Sequence, residues 1–342
     1  MRPVRIGLCF DLRDAYRAAG YGEEETAEFD APATLDAIES ALRELGHETE
    51  RIGHVGALAR RLVEGRRWDL VFNTAEGVQG VGREAQVPAL LEAFDLAYTF
   101  ADPLVAALTL HKAMCKRVLR DLGLPTPEFR VVEAPGDAKD VDLPFPLFVK
   151  PLAEGTAKGI DARSRVETRE TLEERCAHVL ARYRQPALVE PYLPGREYTV
   201  GITGSGAESV AVGTLEVALR PGSEPHAYTY RNKERCEALC DYRPVGAAAS
   251  APLEALALAA WRGIGGRDAG RVDLRLDADG RAQLLEINPL PGLHPTHSDL
   301  PMICTEAGVS YVELIDRIVA STLRRSDASR ARGGGPPRRP LP

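Results

Sequence analysis

Apolar residues recur with two periods along this chain, and the change from one to the other marks out its elements. Residues 4–10 have the compact apolar pattern of a strand. Residues 33–45 have a helical pattern, with Leu35, Ile38 and Leu42 on one face and Gly46 as a stop. Residues 68–73 predict a second strand, which opens into the glycine-rich loop 76–82. A helix then carries Val87, Leu90, Leu91 and Phe94 on its inner face. This strand–helix rhythm predicts a small α/β unit around a parallel sheet.

Residues 110–122 predict a helix rich in basic residues, followed by Gly123-Leu124-Pro125-Thr126-Pro127, a natural boundary. Residues 145–150 predict a strand stopped by Pro151, then a polar loop over 154–159 and an extended segment from Ile160. A helix over 167–183 and strands over 187–192 and 197–203 follow. A third section begins near 205 and holds two further strands, 271–275 and 285–289. From about 326 the chain becomes rich in Arg, Gly and Pro, a composition that cannot build a core and predicts disorder. The expected parts are therefore 1–107, 108–203, 204–325 and a tail over 326–342. No internal repeat is present.

A length of 342 residues suits two or three domains, and 44% hydrophobic with 27% charged residues is ordinary for a soluble protein. The net charge of −7, with basic residues clustered only in the tail, argues against a nucleic-acid partner. There is no apolar leader and no run of membrane length, so a cytoplasmic protein without a membrane partner is expected. The six cysteines are scattered. Cys236 and Cys240 are four apart but lack a second close pair, which gives zinc little support; free thiols fit better.

The chemistry concentrates on the last two predicted strands. Pairing them would bring Asp273, Glu286 and Asn288 to one surface. Two carboxylates and an amide form a hard-cation site suited to Mg²⁺ carrying nucleotide phosphates, and Mn²⁺ suits the same donors. Arg271 falls near that surface, where it could hold an anion or an electrophile. The loop containing Gly155 and Gly159 has neither the GxxxxGK[ST] nor the GxGxxG spacing. A glycine loop between strands can still lay backbone N–H groups over phosphates, and it can equally be a plain hairpin. Lys150 closes an apolar strand and could reach phosphate oxygens. Lys233 lies in the polar, aromatic segment Tyr228-Thr229-Tyr230-Arg231-Asn232-Lys233, which reads as a mobile loop closing over a reaction centre or as a simply exposed one.

Together these stretches resemble the ATP-grasp ligases of the D-alanine–D-alanine ligase type, across about residues 28 to 320. Phe148-Val149-Lys150-Pro151 resembles the family's lysine strand, and Glu154-Gly155-Thr156-Ala157-Lys158-Gly159 its phosphate loop. The resemblance implies an α/β protein of the ATP-grasp fold. Its parts would be an N-terminal parallel-sheet substrate domain, a central lid domain with α+β character and a C-terminal metal and catalytic domain. It implies ATP and Mg²⁺ as cofactors, small carboxylate and amine partners such as amino acids, and a homodimer as one option. By the same likeness Lys112 and Lys150 would meet phosphates, Glu190 and Leu193 the adenine, and Glu197 the ribose. Asp273, Glu286 and Asn288 would bind metal. Arg271, Lys233 and Thr156 would serve the chemical step, with Lys233 also near the nucleotide. Glu28 and Ser298 would meet substrate.

The chain also departs from that family pattern. Glu76-Gly77 stands where the family carries His-Gly, and Gly82-Arg83-Glu84-Ala85 replaces Gly-Glu-Asp-Gly. Thr156-Ala157 replaces Ser-Ser, and Glu234 follows Lys233 where a tyrosine is usual. The extra carboxylates at Glu76 and Glu84 would receive an ammonium or guanidinium group of a larger substrate, or pair with Arg83 or another local arginine. The leading expectation is an ATP-dependent ligase that makes a dipeptide or related amide through an acylphosphate. A D-alanine–D-alanine ligase is one alternative. A nucleotide-binding protein without catalysis is the other.

Overall fold

The computed structural model of the chain describes residues 3–332. Three sheets organise it. The first contains β1 (Arg5–Cys9), β2 (Glu48–Gly53) and β3 (Leu70–Asn73) in the order β2-β1-β3, all parallel, as the strand–helix rhythm predicts. The helix Pro32–Glu44 packs Leu35, Ile38 and Leu42 against it.

That core has a contributor from the other end of the chain. The helix Tyr311–Arg332 adds Leu314, Ile315, Ile318 and Val319 to the cluster around Val4, Ile6 and Leu8. The expected start of the tail at 326 therefore falls inside a helix. Residues 326–332 contain Ser, Asp, Ala and Arg but neither Gly nor Pro, and the first helix breaker is Gly333. The remainder of the expected tail lies outside the described residues.

The second sheet has β4 (Arg130–Val132), β5 (Leu147–Pro151), β6 (Arg165–Val166) and β7 (Ala187–Pro191) in the antiparallel order β4-β7-β5-β6. The helix Arg169–Tyr183 covers it with Leu172, Cys176 and Val179. The third sheet holds β8 (Glu197–Thr203), β9 (Val210–Leu219), β10 (Cys240–Pro244), β11 (Ala269–Leu276) and β12 (Ala282–Asn288), antiparallel in the order β10-β9-β8-β11-β12. Strand β8, grouped with the central part by its position in sequence, thus pairs within the third sheet. Its alternating pattern shows a strand but not which neighbour receives it.

Two contacts set the site's frame. Asp268 is fully buried and accepts from Phe100 N at 2.8 Å, Thr322 Oγ1 at 2.8 Å and Arg325 Nη2 at 2.7 Å, so it ties β11 to the N-terminal region and the last helix. On β8, a Cβ at Gly201 would stand 2.9 Å from Ile303 Cγ2. The absence of that Cβ lets the helix Asp299–Glu306 lie against the sheet and carry Asp299 to the site.

Candidate active site

The second and third sheets face one another across a cleft lined by Phe148, Lys150, Glu190, Glu197, Asp273 and Glu286. The metal-like residues meet there as the strand pairing requires. Asp273 stands directly opposite Glu286, and Arg271 opposite Asn288. Asn288 Nδ2 donates to Asp273 Oδ2 at 3.0 Å, which leaves the amide oxygen free to coordinate. The donor set is all oxygen, and it fits Mg²⁺ or Mn²⁺.

Cations surround these oxygens. Lys112 Nζ lies 3.3 Å from Glu286 Oε2 and donates to the Glu154 carbonyl at 2.6 Å. Arg271 is gripped by Asp273 at 3.3 Å and Asp299 at 3.0 Å. Burial works against its charge, yet Asp273 and Asp299 raise its pKa above the ordinary arginine value. Lys233 approaches Asp299 at 3.9 Å, and burial together with Arg271 lowers its pKa. The segment expected as a mobile closing loop is partly helical, over Tyr230–Glu234. Thr229 caps that helix by accepting from Asn232 N, while the buried Asn232 amide donates to the Glu224 and Ala227 carbonyls. These local bonds, invisible as periodicity, order the segment.

The expected nucleotide residues divide. Leu193 and Glu197 line the cleft, and Glu197 pairs with Arg275 at 3.1 Å. Glu190 lines it too, but its carboxylate is held by Lys116 at 2.5 Å and Lys150 at 2.7 Å. Any contact from Glu190 to a base would therefore come from its backbone. Thr156 and Ala157 adopt left-handed backbone conformations, with φ of 49° and 55°. Two successive positive φ angles, closed by Lys158 N donating to the Gly155 carbonyl at 3.0 Å, make a tight turn at the mouth of the cleft.

A second cavity of about 500 Å³ adjoins the metal-like strands and is lined by Glu28, Glu76, Glu84, Lys112, Asn288 and Ser298, among others. Ser298 Oγ accepts from His294 N at 3.0 Å, so the serine also shapes its own loop. Glu28, expected to meet a substrate amine, is already engaged. Arg83 Nη2 lies 3.1 Å from both of its oxygens, Lys158 Nζ is at 3.1 Å and Gly155 N at 2.5 Å. Burial alone would raise its pKa, but Arg83 and Lys158 hold it at about 2.

Glu76 and Glu84 behave differently. Both line the cavity with no hydrogen bond or ion pair among the described residues. The alternative partner, Arg83, gives its guanidinium to Glu28 and the Ala153 carbonyl instead. Gly77, at φ 73°, passes within the van der Waals reach of the Arg83 carbonyl, and a Cβ there would meet it at 2.7 Å. Burial, reinforced by Glu84, raises Glu76 well above its ordinary pKa. Burial also raises Glu84 to about 8, with Arg83 opposing and Glu28 adding to the rise.

A raised carboxyl pKa stabilises the fold fully below the unfolded value of ~4.3, and the stability is lost as pH rises towards 8. Glu84→Gln removes that loss. Its Tm is expected to exceed the parent's by a few degrees at about pH 8.5 and to match it near pH 4. Equal Tm differences at both pH values in scanning calorimetry would show that Glu84 is not a raised group.

Some site residues escaped the sequence patterns. Lys116, Arg83, Lys158 and Asp299 gain their places only through tertiary contacts. Arg275 had a signal, because Arg271, Asp273 and Arg275 alternate on one face of β11.

Comparison with known proteins agrees with this geometry. Residues 118–320 match the model of the D-ala D-ala ligase C-terminus. The chain is 36% identical to D-alanine–D-alanine ligase of Xylella fastidiosa over 286 residues, 82% of this chain and 90% of that one. It is 34% identical to the uncharacterized protein y4sG of Sinorhizobium fredii, over 85% of this chain and 87% of that one. The crystal structure of D-alanine–D-alanine ligase from Bacillus anthracis complexed with ATP has the same fold, at a TM-score of 0.71 and 19% identity, covering 95% of this chain and 99% of that one. The chain belongs to the D-alanine–D-alanine ligase-like family of ATP-grasp carboxylate–amine ligases. It is an ATP-dependent enzyme of the C–N bond-forming type, which sets aside the non-catalytic alternative. No helix among the described residues is long and apolar enough to cross a membrane.

Proposed function

We propose that the chain condenses two molecules of D-alanine, using ATP and a divalent cation. The names of its relatives, at 31–36% identity, support this over the broader dipeptide ligase first expected. The observation that carries the chemistry is Asp273 opposite Glu286, with Arg271 opposite Asn288 two residues back along the same face.

A carboxylate resists attack by an amine because its oxygen is a poor leaving group. Transfer of the γ-phosphoryl group to that oxygen breaks a phosphoanhydride bond, releases ADP and yields an acylphosphate. The amine nitrogen of the second substrate then attacks the acyl carbon. The carbon–oxygen bond to phosphate breaks, and the nitrogen gives up a proton. Asp273, Glu286 and Asn288 would hold Mg²⁺, which neutralises phosphate charge when bound. Lys112, Lys150 and Lys233 add fixed positive charge, and the Thr156–Ala157 turn offers N–H groups. Arg271, held between Asp273 and Asp299, would stabilise the tetrahedral oxyanion. Leu193 and Glu197 flank the base and ribose, and Ser298 orients the second carboxylate. The partly helical segment carrying Lys233 lines both cavities and would limit hydrolysis of the acylphosphate. Unpaired buried cysteines support a reducing, cytoplasmic setting, and family likeness supports a homodimer.

A second reading has its own observation. Glu76 and Glu84 line the cavity with no hydrogen bond or ion pair among the described residues, which favours an amino acid with a cationic side chain. An ADP-release assay with product mass analysis separates the two. D-alanine alone is expected to give ADP, phosphate and the dipeptide mass. Release only with lysine-like or arginine-like amino acids would transfer the assignment to the second reading. No release across D- and L-amino acids would remove both.

A further inference from the structure

The side chains of Cys236, Glu237 and His297 converge beside the substrate cavity, on elements other than the strands that carry Asp273, Glu286 and Asn288. Cys236 Sγ lies 3.6 Å from His297 Nδ1, and the same nitrogen lies 3.0 Å from Glu237 Oε1. All three ligand atoms lie within 4.8 Å of one another. Tetrahedral Zn²⁺ takes sulfur at ~2.3 Å and nitrogen or oxygen at ~2.0–2.1 Å, so neighbouring ligands stand about 3.5 Å apart for S–N and about 3.3 Å for N–O. The observed S–N and N–O separations, 3.6 and 3.0 Å, lie close to those edges.

The surroundings also suit an ion. Cys236 is 3% exposed and fixes the sulfur in place, whereas the Glu237 and His297 side chains are 75% and 40% exposed and leave an entry path. The His294 ring lies 6.0 Å from that of His297, close enough to supply a further nitrogen after a rotamer change. A mixed sulfur, nitrogen and oxygen set selects a borderline-soft cation over Mg²⁺. Cys240, the cysteine nearest in sequence, takes no part; its Sγ donates to the Asn232 carbonyl.

We propose that Cys236, Glu237 and His297 form a binding site for Zn²⁺ or a similar borderline divalent ion, distinct from the nucleotide-metal site. The site joins two separate elements. Cys236 and Glu237 belong to the short helix Cys236–Leu239, just after Lys233, while His297 belongs to the loop before the helix Asp299–Glu306. Glu237 and His297 both line the substrate cavity. A bound ion would cross-link the helix that follows Lys233 to the Ser298 loop and occupy the cavity lining, so it acts as a reversible inhibitor.

Co²⁺ titration of the full-length, metal-stripped protein tests the site without substrate, and therefore independently of which amino acids are joined. With Mg²⁺ in excess, a thiolate-to-cobalt charge-transfer band is expected, and Zn²⁺ should abolish it by competition. Cys236→Ser should remove the band. His297→Ala, at an exposed position, should weaken binding by more than the ~10–100-fold typical of losing an outer partner of a ligand. If the ligase assay is active, Zn²⁺ should inhibit the parent and spare Cys236→Ser. A parent protein without the band, or His297→Ala binding Co²⁺ as tightly as the parent, would overturn the proposal and leave a purely hydrogen-bonded cluster.

Discussion

Replacing Arg271 with alanine is expected to lower kcat for ADP release by about 10²–10³-fold while leaving the affinity for a non-hydrolysable ATP analogue within about threefold of the parent. The expectation follows from how the guanidinium is held. Its side chain is 13% exposed, with Asp273 on one side at 3.3 Å and Asp299 on the other at 3.0 Å. Both carboxylates fix its direction before substrate arrives, so no reorganisation is needed when negative charge develops. Arg271→Lys should recover only part of the rate, because one ammonium cannot span two carboxylates and an oxyanion as a planar fork does. Removing the arginine also leaves Asp299 with Lys233 alone, at 3.9 Å. Thermal melting of both variants separates loss of rate from loss of fold. A tenfold weaker analogue affinity with an unchanged single-turnover rate would move Arg271 from the chemical step to nucleotide binding.

The metal-like face was legible because strand geometry is strict. Side chains two apart share a face, so Arg271, Asp273 and Arg275 had to project together, as did Glu286 and Asn288. Antiparallel pairing of the two strands then brought Asp273 against Glu286. Other parts depended on contacts that no local pattern encodes. Nothing in residues 197–203 distinguishes the edge they join, and β8 pairs within the third sheet. The last helix carries Leu314, Ile315, Ile318 and Val319 at helical spacing, but that spacing does not say that the face packs beside Pro32–Glu44 on the first sheet. The charge assignments show the same limit. Glu28 carried the family's expected role by position, yet Arg83 and Lys158 neutralise it from two other elements. Glu76 and Glu84 are the carboxylates left facing the cavity, and their raised pKa values arise from burial that the sequence does not display.

Glu190→Gln is expected to cost about 3–5 kcal/mol of stability, the larger of the structural effects predicted for this site. Glu190 is 3% exposed and lies between Lys116, 1% exposed, and Lys150, whose side chain is 7% exposed. An amide in its place cannot neutralise either ammonium; Lys116 is fully buried and Lys150 shows only its tip to the cleft. Burial opposes ionisation of Glu190, but Lys116 and Lys150 overcome it and hold the carboxyl at about 2. The sign of the pH dependence follows from that depression. The stabilisation is fully present above the unfolded value of ~4.3 and is lost as pH falls through about 2. The Tm gap between parent and variant should therefore be widest near neutral pH and narrow towards about pH 3. Lys116→Met added to Glu190→Gln should recover part of the loss, since only Lys150 then remains unpaired. Analogue affinity should fall in the single variant as well, because Lys150 loses the carboxylate that aims it across the cleft. A Tm for Glu190→Gln within about 1 °C of the parent near pH 7 would mean that water reaches these lysines, and that the pair does not hold β5 and β7 together at the nucleotide cleft.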